Sequence, residues 1–431
     1  MAFVTSPWLL GLASLVLASL LYRLLNLFRR PSLPLPPGPK PWPIVGNMPH
    51  LGPVPHHALA DLARSYGPLM HLRLGFVDVV VVASASVAEQ ILKVHDANFS
   101  SRPPNAGAKY MGYNYQDLVF APYGPRWRKL RKISAVHLFS GKALEDFRHL
   151  RQEEVGRLTR NLASAASQVV NLGQLLNVCT TNALARAVLG RRVFDDGAAG
   201  CDPRADEFKS MVVEMMVLAG VFNIGDFIPA LEWLDLQGVQ GKMKKLHKRF
   251  DAFLTNIIEE HRVSQNEDHR HLLSTLLSLK EAQDDEGTKL TDVEIKALLL
   301  NMFAAGTDTS SSTTEWAIAR DPKEWSDPLV FRPERFLPGG EKAGVDVRGN
   351  DFEVIPFGGG RRICAGMNLG LRVVQLLTAT LAQAFNWELA DGLSPQKLNM
   401  DEAYGLTLQR KVPLLAQPKP RLAPHLYSQS P

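Results

Sequence analysis

Cysteine is scarce in this sequence, three residues in 431, at positions 179, 201 and 364. An odd number at such wide spacing builds neither a disulfide framework nor a zinc site. It places the main body of the chain in a reducing compartment. A strong excess of one charge is also missing: 48 Lys+Arg against 43 Asp+Glu leave a formal charge of +5. These charges are scattered and form no tail, so no nucleic-acid partner is expected. There is no internal repeat and no low-complexity tract. What remains is a chain that is 45% apolar, able to bury a substantial core as one large domain or as two to three small ones.

One long hydrophobic run is present, from Trp8 to Phe28, and its only strongly polar members are Arg23 and Asn26 near the far end. It is about as long as the ~20 residues that cross a bilayer. No Lys or Arg precedes it and no small-residue cleavage site follows, which argues for an uncleaved anchor rather than a removed signal peptide. Arg23, Arg29 and Arg30 lie on its C-terminal side, so the positive-inside rule leaves the rest of the chain in the cytosol, with Arg23 snorkelling. The expected organisation is a signal-anchor transmembrane helix over 1–28, a stiff proline-rich linker over 29–43 and one domain over 44–431.

Within the domain, Ala58 to Tyr66 reads as a short helix stopped at Gly67, and Leu69 to Ser84 as a β-hairpin running through Val79-Val-Val-Val82. Helical periodicity then dominates, near 86–95, 143–163, 206–219, 239–262 and 368–384, with short strand-like pieces around 386–390 and 404–410. The fold class is mainly α with small β-sheets. One helix opens on a capping box, Thr291 with Glu294, and meets no proline until Pro322. Unbroken to Ala319 it would be about 43 Å long. Its first part, Ala297 to Ala305, is too apolar all round for a surface helix and is expected to be buried.

Two strings carry chemistry. The first is Phe357-Gly-Gly-Gly-Arg-Arg-Ile-Cys-Ala-Gly366, followed at once by the helical pattern from Asn368. Glycines such as Gly360 and Gly366 let the backbone approach a flat ligand, and backbone N–H groups with a helix start favour a thiolate at Cys364. Phe357 can shield the sulfur, and Arg362 can pair with a carboxylate on the ligand rim. A thiolate on haem iron promotes O–O cleavage, the reason a monooxygenase would use Cys. The alternatives are a buried structural cysteine and an anion-binding loop. The fixed positions of F-x-x-G-x-R-x-C-x-G favour iron ligation.

The second string lies inside the apolar helix, Ala304-Ala-Gly-Thr-Asp-Thr-Ser310. Polar groups there need a reason. Gly306 can leave room for a diatomic ligand, while Asp308 and Thr309 can hold water and relay protons. By itself the string reads equally as a kink satisfied by hydroxyl back-bonding.

With Trp127-Arg-Lys-Leu-Arg131 and Phe331-Arg-Pro-Glu-Arg-Phe336, these strings make the chain resemble the cytochrome P450 superfamily over essentially its whole length. The resemblance implies a P450 fold holding haem b, its iron ligated by the Cys364 thiolate, with Trp127 and Arg131 on a helix that meets a haem propionate. It implies O₂ as co-substrate, and electrons that come from NADPH through NADPH-cytochrome P450 reductase, an acidic partner docking on a basic face that includes Arg128, Lys129 and Lys132. Val79-Val-Val-Val-Ala-Ser84, Gly339-Gly-Glu-Lys342 and Val345-Asp-Val-Arg-Gly349 are similar to strings of plant flavonoid 3′-hydroxylases. Glu402-Ala-Tyr-Gly-Leu-Thr-Leu408 resembles that group's last substrate-contacting loop, which implies a flavonoid substrate near Tyr404, Leu406 and Thr407 and an endoplasmic-reticulum membrane location. The stretch from Ser101 to Tyr115 belongs to the same expected substrate wall. By that analogy Thr407 leans towards 3′ rather than 3′,5′ hydroxylation.

The chain departs from the pattern in one place. Thr309 and Cys364 are 55 positions apart (364 − 309), less than half of what the family pattern leads one to expect. Thr314-Glu-Trp-Ala-Ile-Ala319 looks like the end of the family's long helix, and Trp316-Ala-Ile-Ala-Arg-Asp-Pro322 like the entry to a later segment. An internal segment is therefore expected to be missing near residue 319, leaving the fold incomplete. The lost piece would carry the Glu-x-x-Arg pair that holds Arg335, and a buried arginine without its compensating charge is destabilising by about 3–5 kcal/mol. Sheet edges would be left uncovered. The leading reading is a haem-thiolate monooxygenase acting on the flavonoid B ring. A catalytically inactive membrane-bound interaction protein is the alternative, and the retained Asp308-Thr309 pair argues against a haem isomerase or dehydratase.

Overall fold

A computed structural model of the chain describes residues 11, 14–22, 34–166, 168–194, 203–263, 271–281, 289–316, 332–394, 397–403 and 405–428. The chain divides into two compact units, Met1–Ala83 and Ser84–Pro431.

In the first unit, helix α1 (Pro55–Tyr66) starts with proline in its first turn, where the missing N–H is no loss, and stops at Gly67 with φ 96°. Strands β1 (Leu69–Leu74) and β2 (Val77–Val82) pair antiparallel from Leu69↔Val82 to Leu74↔Val77. The two-residue turn places Gly75 at φ 59°, a conformation that favours glycine. Met70, Leu72 and Leu74 are buried and alternate with the half-exposed His71 and Arg73. Both the short helix and the hairpin fall where the sequence pattern puts them. No third strand joins this pair among the described residues, but the outer edge of β1 is covered by the preceding chain, with His71 N donating to Pro37 O at 2.9 Å and Arg73 N to Asn47 Oδ1 at 2.8 Å, so the expectation of uncovered edges does not hold there. Residues 14–22 are helical, with Leu15, Val16, Leu17, Leu20 and Leu21 all exposed. The rest of the expected 1–28 anchor and residues 29–33 of the linker lie outside the described residues.

The second unit is mainly helical, as the periodicity implies. Its longer helices are α2 (Pro125–His137), α3 (Arg148–Ser164), α4 (Leu172–Leu189), α5 (Pro203–Gly220), α6 (Val239–Val263), α7 (Leu272–Glu281), α8 (Asp292–Gly306), α9 (Asp308–Trp316) and α10 (Met367–Ala384). The strands are short: β3 (Val170–Asn171), β4 (Phe385–Leu389), β5 (Glu402–Ala403), β6 (Gln409–Arg410) and β7 (Leu415–Pro420). One hydrophobic cluster joins α5, α6 and α8, where the rings of Phe208 and Phe303 meet edge-on at 4.9 Å and Phe250 reaches Phe208 at 6.3 Å. A second cluster packs Leu158 and Leu162 of α3 and Leu176 of α4 against Leu377 and Leu381 of α10. Among the described residues one stretch, Ser210–Phe227, which begins in α5 and has mean hydropathy 1.5, is long and apolar enough to cross a membrane, and a third of it is buried.

Two elements lie outside the sequence expectation. Helix α4 is buried on nearly every side, including the polar Thr180, Thr181 and Asn182, so it has no amphipathic period to detect. Strand β7 contains Pro418 and Pro420 and yet runs between β3 and β4. The prolines are two apart and share one edge, and β3 covers that side only at Leu415 and Ala416, so no ladder donor is missing. The strand expected over 404–410 is divided into β5 and β6, which pair with each other.

Two expectations are corrected. The long helix does not run unbroken to Ala319: it divides at Thr307 into α8 and α9. Hydroxyls compete for its carbonyls. Thr307 donates to Phe303 O at 2.9 Å, Thr309 to Ala305 O at 2.6 Å, and Thr180 of α4 donates to Thr307 O at 2.9 Å. Arg335 is buried as expected but is not without compensation, because its Nη1 lies 3.0 Å from Glu341 and its Nε donates to Arg332 O at 3.1 Å. The expected join at Trp316–Ala319 falls almost wholly outside the described residues.

The capping box at the start of α8 is complete: Glu294 N donates to Thr291 Oγ1 at 3.1 Å and Thr291 N to Glu294 Oε2 at 3.0 Å. Replacing the hydroxyl in Thr291→Ala should lower stability by about 1 kcal/mol, read as a lower urea midpoint at unchanged m-value. An unchanged midpoint would show that the cap contributes nothing.

Candidate active site

The loop before α10 is shaped by glycine and closed by its own backbone. Cys364 N donates to Phe357 O at 2.9 Å and Ile363 N to Gly360 O at 3.1 Å. Gly360 sits at φ +62°, and a Cβ there would stand 1.7 Å from the carbonyl oxygen of Leu92. Only glycine permits that approach. Phe357 lays its ring against Gly370 in the first turn of α10, and Gly366 caps that helix.

Cys364 opens onto a cavity of about 640 Å³, a size that suits a cofactor or small ligand. Its walls are largely hydrocarbon, with Leu138, Phe139, Leu184, Met302 and Leu369 among them, and Phe357, Gly366, Ala305, Gly306 and Thr309 line it too. Burial pushes the Cys364 thiol above its ordinary pKa, against the backbone N–H of Gly366 and the charge of Arg131, which pull it down. Desolvation outweighs the amide, and a cation on the sulfur favours the thiolate.

Four arginines, Arg102, Arg131, Arg151 and Arg362, border the same cavity, and Arg151 donates from Nη2 to Leu144 O at 2.6 Å. Arg362 donates from Nε to Ser100 O at 2.6 Å and from Nη2 to Ala121 O at 2.5 Å, and its Cζ lies 4.6 Å from the centre of the Trp127 ring. Its Nη1 is buried with no hydrogen-bond partner. Burial lowers the pKa of Arg362, and the charges of Arg102 and Arg131 lower it further. Burial also lowers that of Arg131, which Cys364 raises. Such a group of cations beside hydrocarbon is stable only with an anion among them. Trp127 is buried, and its Nε1 donates to Leu118 O at 3.1 Å. Its ring therefore supports Arg362, while its N–H is already used.

The residues of the broken helix divide into two groups. The Thr309 hydroxyl lies at the cavity. Gly306 is bare for a packing reason, since a Cβ there would stand 2.5 Å from Cδ2 of Leu184. Asp308 is buried and does not line the cavity; its Oδ2 accepts from the Thr407 hydroxyl and, at 2.7 Å, from Gln409 Nε2. Thr407 is thus tied to α9 rather than placed at the cavity wall, Leu406 is exposed, and Tyr404 lies outside the described residues. Arg102, inside the expected substrate stretch from Ser101 to Tyr115, and Asn301, which was not singled out in the sequence, also border the cavity. Arg102 has no local signal, whereas an amide inside the apolar run from Ala297 to Ala305 is a detectable anomaly.

A cysteine sulfur, a rim of unneutralised arginines and hydrocarbon walls define a protein that holds a flat, apolar, carboxylate-edged cofactor through sulfur. The family model for cytochrome P450 matches residues 36–320 and 315–415, and the chain belongs to that family. It is 60% identical to a flavonoid 3′-monooxygenase of Petunia hybrida, covering 93% of this chain and 94% of the relative. It is 55% identical to one of Arabidopsis thaliana (96% and 98%) and 45% identical to a flavonoid 3′,5′-hydroxylase of Crocosmia x crocosmiiflora (97% and 98%). The Petunia comparison extends over 484 positions, more than the 431 residues present here, so the relative carries residues with no counterpart in this chain. As a cytochrome P450 monooxygenase the protein uses haem iron with a cysteine thiolate, O₂, and electrons passed from NADPH by a reductase. The donor set of the cavity fits that group.

Gly360→Ala should drive the loop out of position. We expect a loss of stability of about 2 kcal/mol or more and a fall in haem bound per chain, measured by thermal unfolding and by pyridine haemochrome. Full haem content at unchanged stability would refute the close approach to Leu92.

Proposed function

We propose that this chain is a haem-thiolate monooxygenase that hydroxylates the 3′ position of a flavonoid B ring. The carrying observation is the Cys364 sulfur on the wall of an apolar cavity that the arginine rim and the Thr309 hydroxyl share. Cys364 is the iron ligand in this reading. Phe357, Gly360 and Gly366 shape its loop, Arg362 and Arg131 take the cofactor's carboxylates, and Trp127 backs Arg362. Bound haem with its thiolate supplies O–O cleavage. The high identity to two 3′-monooxygenases supports the substrate class and the 3′ position.

Protons reach the oxygen side through Thr309, whose hydroxyl already lies at the cavity, and Asp308, one residue earlier in the chain. Because Asp308 is held by Thr407 and Gln409, its carboxylate serves two purposes. It keeps the loop of Leu406 and Thr407 in place beside α9, and it exchanges protons when that hydrogen bonding yields. A segment over 1–28 anchors the chain in the endoplasmic-reticulum membrane, with the catalytic domain in the cytosol. The exposed apolar side chains of residues 14–22 support this.

Two measurements test the reading. The reduced, carbon monoxide-treated chain should give the red-shifted Soret band of thiolate ligation, and Cys364→Ser should abolish it; persistence of the band in the variant removes Cys364 as ligand. Failure of the parent chain to take up haem would instead favour the inactive form, for which the missing interval speaks. Asp308→Asn should reduce the catechol product formed per NADPH consumed by about 10²-fold and mix the position of hydroxylation. Parental coupling and a single product would sink the double role of Asp308.

A further inference from the structure

A buried polar pair behind the cavity has no part in the chemistry above. Asn301 of α8 borders the cavity and reaches across to the chain at 117–120. Its Oδ1 accepts from Leu118 N at 2.8 Å and Val119 N at 3.1 Å, and its Nδ2 donates to Asp117 Oδ2 at 3.0 Å. The other oxygen of Asp117 accepts from Phe120 N at 2.9 Å. Asp117 is fully buried and Asn301 nearly so. Burial raises the carboxyl's pKa, and the hydrogen bonds from Asn301 and the backbone oppose that.

This short stretch carries the two carbonyls that orient the cofactor rim. Leu118 O receives the Trp127 indole N–H, and Ala121 O receives Arg362 Nη2. With Nε also committed to Ser100 O, Arg362 keeps only Nη1 without a partner. We propose that Asn301 and Asp117 are a positioning pair, which sets residues 118–121 so that Arg362 presents its free Nη1 to a carboxylate of the bound haem. The inference rests on the haem reading of the cavity. It adds that retention at the carboxylate edge is governed from α8, by residues that touch neither the iron ligand nor the oxygen side.

The chemistry of the pair supplies its own control. In N301D two acids oppose each other across one hydrogen bond, and the donor to Asp117 is lost. In the exchanged double variant, N301D with D117N, each of the four hydrogen bonds can form again with the same single negative charge. The full-length haem-loaded chain is used, and two quantities are read: the rate of haem transfer to excess apomyoglobin, and amide hydrogen exchange over residues 117–121. N301A and N301D should each release haem about tenfold faster or more and lose amide protection, because N301A leaves the Leu118 and Val119 N–H groups unsatisfied and N301D sets two buried acids against each other. The thiolate-type Soret band should keep its position, since Cys364 is untouched. The exchanged pair should return both quantities to within about twofold of the parent, and should do so even if the single variants fold poorly. Parental release and protection in N301A, or no recovery in the exchanged pair, overturns the proposal. If the parent chain takes up no haem, the functional reading falls, while amide exchange of the unloaded chain still decides whether the pair holds the 118–121 stretch.

Discussion

Positive charge gathered beside hydrocarbon is the constraint on which the site depends. Arg102, Arg131, Arg151 and Arg362 border one cavity whose remaining wall is mostly aliphatic and aromatic, an environment that disfavours each guanidinium. The fold meets this with fixed dipoles, to which the charge of Asp117 adds at Arg362. The carbonyls of Ser100 and Ala121 and the face of Trp127 hold Arg362, and its last edge is left for a ligand anion. Cys364 is under the same constraint from the other sign, since burial pushes its thiol pKa up and a metal on the sulfur favours the thiolate. Protein and cofactor thus complete each other's charge, and the cavity wall is stable in this form only around the right group.

The oxygen side is organised by hydroxyl groups that interrupt a helix. Thr307 and Thr309 return hydrogen bonds to their own chain, and Thr180 enters from α4 to take the carbonyl at the break. The gap between α8 and α9 is therefore held open from both sides. Just beyond it, Asp308 grips Thr407 and Gln409, which ties the C-terminal loop to α9.

The family model meets this chain in two stretches that overlap at residues 315–320, the same short string that the sequence marks as belonging to both sides of a join. Removing residues between such strings need not leave every buried charge stranded. Arg335 stays buried and finds Glu341 six residues along the chain. That local partner lies in the Gly-Gly-Glu-Lys string, where no helical period or charge pattern marks it as a buried pair.

Much of the fold could be read in the order of residues, where one face of an element differs from the other. The helices near 206–219, 239–262 and 368–384 and the hairpin of Val79–Val82 show themselves this way, and Phe357 to Gly366 declares a sulfur ligand through five fixed positions. Helix α4 escaped because complete burial erases periodicity, and β7 because proline in a strand is acceptable only once it is known which edge has a neighbour. The sequence by itself determined the ligand, the glycine loop and the cap of α8, all of which are set by residues close together in the chain. Only tertiary structure decided that Arg362 has one free edge, that Asp308 turns to Thr407 and that Asn301 meets Asp117. Each of those depends on a backbone atom or side chain brought from about a hundred or more positions away, and no local pattern records such a partner.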